Sequence, residues 1–103
     1  MTQYANGPLP RQFEGLAYFT QDRKEWALPK EAALEYLAWC DQHGLQVLGF
    51  EVWYPTSFGP TVIAGDVGND VGVRPNAEAI RNHPARDVHG PLVFNISARE
   101  PVA

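Results

Sequence analysis

Pro29-Lys-Glu-Ala-Ala-Leu-Glu-Tyr-Leu-Ala-Trp-Cys-Asp-Gln-His43, then Gly44-Leu45, then Gln46-Val-Leu-Gly-Phe-Glu-Val-Trp-Tyr54: this stretch decides the fold. Ala33, Leu34, Leu37, Ala38 and Cys40 recur at helical spacing, with Tyr36 at the edge of the stripe. Pro29 suits a first helical turn, Glu31 adds favourable negative charge there, and Gly44 is a helix-ending residue. A helix is predicted over 29–43. Beyond it the period changes to two. Leu48, Phe50, Val52 and Tyr54 are expected on one face of a strand, and Val47, Gly49, Glu51 and Trp53 on the other. A strand apolar on both sides belongs inside a sheet covered on each face.

Working outward, Phe13–Thr20 alternates like a first strand, Thr61–Ala64 like a third, and Leu92–Ser97 like a last one. Gly65 to Pro75 is rich in Gly, Asp and Asn and reads as loop. Asn76 can cap a short helix over 77–82, broken by Pro84, and Asp87-Val-His-Gly90 reads as a turn. Gly7, Pro8 and Pro10 mark residues 1–12 as a flexible lead-in, leaving 13–103 as a single domain. The element order β-α-β-β-α-β predicts an α+β fold, a ferredoxin-like four-stranded sheet with both helices on one face.

Composition narrows the function. The 103 residues carry 8 Lys and Arg against 12 Asp and Glu, a net charge of −4 spread along the chain. Nucleic-acid binding needs basic residues gathered on one face, and no such run exists. A basic protein partner suits this surface better. No apolar run approaches the ~20 residues of a membrane span. The start lacks the charged and apolar regions of a secretory leader, and Cys40 is the only cysteine, so a reducing, cytoplasmic setting is expected.

Chemistry has few footholds. His83, Asp87 and His89 could in principle ligate a metal, but their spacing is not that of a helical ligand pair, and no metal or cofactor is expected. Asp66 and Asp70 bracket a Gly-rich turn without the alternating ligands of a calcium loop. No nucleophile elbow or phosphate-cradling glycine pattern is present, so no catalytic residue is assigned. Glu51 beside Trp53 and Tyr54 suggests, as an alternative, a ligand pocket or minor enzyme site. The aromatic residues are the stronger signal, since Trp and Tyr dominate interaction hot spots.

Glu25-Trp-Ala-Leu-Pro-Lys-Glu-Ala-Ala-Leu-Glu-Tyr-Leu37 with Gly44-Leu-Gln-Val-Leu-Gly-Phe-Glu-Val-Trp53 resembles small immunity proteins of bacterial polymorphic toxin systems. Trp26-Ala27-Leu28 before the helix, and Leu48-Gly49 with Glu51 after it, carry the resemblance. It implies a non-enzymatic protein that neutralises a cognate toxin by occlusion. The residues expected to form an exposed partner-binding face are Trp26, Glu51, Trp53, Tyr54, Phe58, Asp66 and Asp70. A homodimer, paired through a sheet edge or an exposed face, is a further reading.

Overall fold

The computed structural model describes residues 4–56, 59–68 and 70–101, and for 59–67 it describes the backbone alone. The elements in chain order are α1 (Arg11–Glu14), β1 (Tyr18–Phe19), β2 (Trp26–Pro29), α2 (Lys30–Gln42), β3 (Gln46–Thr56), β4 (Gly59–Gly68), α3 (Val73–Asn82), β5 (Arg86–Asp87), β6 (Gly90–Pro91) and β7 (Val93–Arg99). The fold is α+β, built on an antiparallel sheet ordered β2-β7-β3-β4, with the two-residue β1 added beside β2. Both β2 and β3 pair antiparallel with β7, so they run parallel to each other and α2 carries the chain across β7.

The arrangement differs from the ferredoxin-like order expected from the sequence. The last strand is central and the β3–β4 hairpin ends at an edge. A helical turn and a short strand precede β2, and the small β5–β6 hairpin intervenes before β7. Phe13–Thr20 is the main local correction. Phe13 lies in α1 and is buried against Tyr36, and only Tyr18–Phe19 is extended. Trp26-Ala27-Leu28, placed before the helix, and Pro29, expected as its first residue, form strand β2. The region 65–75 is not all loop either: β4 continues to Gly68 and α3 starts at Val73.

Both long helices cover one face. Ala33, Tyr36, Leu37 and Cys40 of α2 and Ile80 of α3 share a core with Leu28, Phe50, Val52, Phe94 and Ile96. The α2 stripe is rotated from the expected one. Tyr36 stands at its centre, fully buried between Trp26 and Phe13, while Ala38 is exposed. Aromatic pairs of this kind add about 0.5–1.5 kcal/mol each beyond the area they bury.

A β-bulge resets the faces of β3. Pairing with β7 slips between Val47 and Gly49, and Gly49 takes φ +148°, a conformation open chiefly to glycine. Val47 therefore joins Phe50 and Val52 in the helix-covered core, contrary to simple alternation. Trp53, with Ala27 and Val93, forms a smaller cluster on the opposite face.

Residues 4–12 are part of the domain rather than a lead-in. Leu9 and Asn6 are buried, and residues 5–8 make a strap of successive hydrogen bonds. Ala5 N donates to the Lys24 carbonyl at 2.7 Å, and Ala98 N donates to the Asn6 carbonyl at 3.2 Å. The Gly7 carbonyl accepts from Trp26 Nε1 at 3.2 Å, and the Pro8 carbonyl from the Tyr36 hydroxyl at 2.7 Å. Gly7 has φ +115°, and a Cβ there would lie on the Ala98 carbonyl, so no other residue fits the strap.

Candidate functional site

Among the described residues, those expected to form a binding face do not converge. Trp26 is fully buried, its indole N–H committed to the strap, so it cannot meet a partner. Trp53 is 2% exposed and packs against Ala27, Val93 and Tyr18. Its Nε1 has no hydrogen-bond partner among the described residues. Glu51 is half-buried on β3, opposite Asn95 of β7. Tyr54 packs against the helix-covered core, whereas Trp53 belongs to the cluster on the other side. Strand alternation thus splits the suggested Glu51–Trp53–Tyr54 pocket between two faces. Asp70 is exposed; Phe58 lies outside the described residues, and so does the side chain of Asp66.

Two hollows lie beside the β5–β6 hairpin. Arg86 pairs with Pro91 and Asp87 with Gly90, leaving Val88 and His89 as a two-residue tip. Asp87 Oδ1 accepts the His89 backbone N–H at 2.7 Å, the local turn that Asp favours. Leu92 N donates to the Ala85 carbonyl at 2.9 Å, which closes the base. The His89 ring stacks on Tyr54, with centroids 4.5 Å apart and planes inclined by 13°. Tyr54 is itself anchored on the core, so the tip is braced to the sheet. At that tip Val88 is 95% exposed.

Beside the hairpin runs an apolar groove of about 560 Å³, floored by Pro29, Leu34, Ala85, Pro91 and Leu92. Lys30, Glu31 and Arg86 stand along it. Lys30 is spoken for: its Nζ donates to the carbonyls of Arg81 and His83, both at 2.7 Å, and so ties the start of α2 to the end of α3. Among the described residues neither Glu31 nor Arg86 has an ion-pair partner. A second hollow of about 430 Å³ shares Leu92 and includes His83 and Asp87 in its wall.

The histidines serve aromatic contacts. His83 meets the Phe94 ring edge-on at 5.5 Å, while His89 lies on Tyr54. Among the described residues no group of three or more His, Cys, Asp or Glu side chains converges. Likewise, no helix among them is long and apolar enough to cross a membrane.

Sequence reading placed a turn at residues 87–90 but passed over Val88. The available signal was an aliphatic residue between Asp87 and His89 in an otherwise polar turn, where solvation alone would favour a polar side chain. Asn6 and Lys30 carried no comparable signal, because each works on backbone carbonyls distant in sequence.

Comparison with known proteins adds no relative. No family model matches the chain, and neither a curated protein nor a solved structure matches it.

Proposed function

We propose that this chain is a non-enzymatic cytoplasmic binding protein that neutralises a bacterial toxin by covering part of its surface. The observation that carries the reading is Val88, an aliphatic side chain held almost wholly in water on a braced hairpin. The hairpin that carries Val88 also borders the apolar groove lined by Pro29, Leu34, Ala85, Pro91 and Leu92, and contiguous exposed apolar surface marks interaction sites. A pre-organised tip binds without the entropy loss of ordering a loop, which makes it useful for recognition. The chain's net charge of −4 favours a basic partner. The resemblance of residues 25–37 and 44–53 to small immunity proteins supplies the class of partner.

The test is co-expression with the products of adjacent reading frames. One of them should arrest growth, and this chain should restore it. Val88→Glu should abolish protection while the circular dichroism spectrum stays unchanged. Protection against none of those products, or full protection by the Val88→Glu chain, would overturn the reading.

A further inference from the structure

We infer that the Val88 hairpin and the groove beside it form a self-complementary surface through which two copies of this chain pair about a two-fold axis. An isologous contact requires that one patch carry both a feature and its complement. Here the two are contiguous. Val88 projects from the hairpin, and the apolar groove begins at the base of the same hairpin, at Arg86 and Pro91.

The charges specify the occupant further. Glu31 and Arg86 face the groove without ion-pair partners among the described residues. A segment seated there should therefore bring an apolar side chain flanked by charges of both signs. Arg86-Asp87-Val88 of a second copy is such a segment. In the two-fold arrangement each Val88 enters the other copy's groove, and each Arg86 meets the other copy's Glu31. The Tyr54–His89 stack holds both tips in shape before they meet, so little loop entropy is lost on pairing.

The pairing does not depend on a toxin partner. If the Val88 tip also contacts one, as proposed above, the two complexes exclude each other. The dimer is then the resting form that shields the tip until the partner displaces one copy.

Sedimentation velocity of the purified chain across a dilution series tests the pairing directly. We expect a species of twice the chain mass that dissociates on dilution. Val88→Glu and Arg86→Glu should each weaken association by about tenfold or more, with unchanged circular dichroism because both side chains are exposed. Arg86→Glu combined with Glu31→Arg should restore it. A wild-type chain that stays monomeric at about 100 µM overturns the proposal, as does a dimer indifferent to all three substitutions. The co-expression test reads separately: a monomer that protects cells overturns the dimer alone, and a dimer that protects against nothing overturns the partner reading alone.

Discussion

Asn6 and Trp26 exchange two hydrogen bonds as if Asn6 were a neighbouring strand. Trp26 N–H donates to Asn6 Oδ1 at 3.2 Å, and Asn6 Nδ2 donates back to the Trp26 carbonyl at 3.2 Å. The same amide nitrogen reaches the Ile96 carbonyl at 2.9 Å. Strands β2 and β7 pair at Leu28–Phe94 and Pro29–Val93; where they part the Asn6 carboxamide bridges them, and Asn95 Nδ2 adds a second donor to the Trp26 carbonyl at 3.0 Å.

Replacing that carboxamide should be costly. Asn6→Ala leaves the buried Trp26 N–H and the Ile96 carbonyl without this partner, for an expected loss of about 2–4 kcal/mol. Asn6→Asp should do no better, because a carboxylate keeps the acceptor yet sets negative charge against two carbonyls. Urea unfolding would register this as a lower midpoint at unchanged slope. A change within about 0.5 kcal/mol for Asn6→Ala would mean that the strap is ornamental.

Alkaline pH should weaken the fold through α2. Burial pushes the Cys40 thiol up from 9.0 to about 11, and burial also raises the Tyr36 phenol, with the nearby Cys40 adding to the rise. Each group holds its proton more tightly folded than unfolded. The Cys40 contribution is therefore fully present below pH 9.0 and is lost as pH climbs through about 11, while that of Tyr36 begins to fall only above pH 10.0. Melting temperature should be flat near neutrality and drop across that window, less steeply in Cys40→Ala. At about pH 8 a thiol reagent should label Cys40 only after unfolding. Rapid labelling of the native chain contradicts this account.

Lys30 should matter for the end of α3 rather than for its own helix. Its ammonium donates to the Arg81 and His83 carbonyls, where a helix terminus leaves acceptors without intrahelical donors. Lys30→Met keeps the aliphatic stem and removes the donors, for an expected loss of about 1–2 kcal/mol. Hydrogen exchange should quicken around residues 80–83, with α2 little changed. Uniform acceleration across both helices would assign Lys30 a different role.

How much of this was legible depended on the range of each interaction. Helix α2 and strand β3 could be read because their patterns are local, and Lys30–Gln42 and Gln46–Thr56 match the predicted spans closely. The facing of Val47 could not, since a bulge is fixed by the partner strand. Trp26 and Trp53 misled for a chemical reason: large aromatics serve cores and interfaces equally, and sequence alone does not separate the two. Residues 5–8 looked loose because Gly7 and Pro8 break regular structure, yet their carbonyls are what the strap uses. Tyr54 kept a place beside the candidate surface only through its stack with His89.

Strand β7 is the last of the described elements in sequence and holds the middle place in the sheet. While the polypeptide is still being made, β2 and β3 have no common neighbour, and Asn6 has no Ile96 to reach across 90 positions of sequence. A ribosome can thus release the β3–β4 hairpin and α2 well before either can be locked in place. Folding must wait for synthesis of β7, and pairing segments so far apart in sequence is slow. A copy truncated before Val93 lacks the strand that joins β2 to β3 and should not fold.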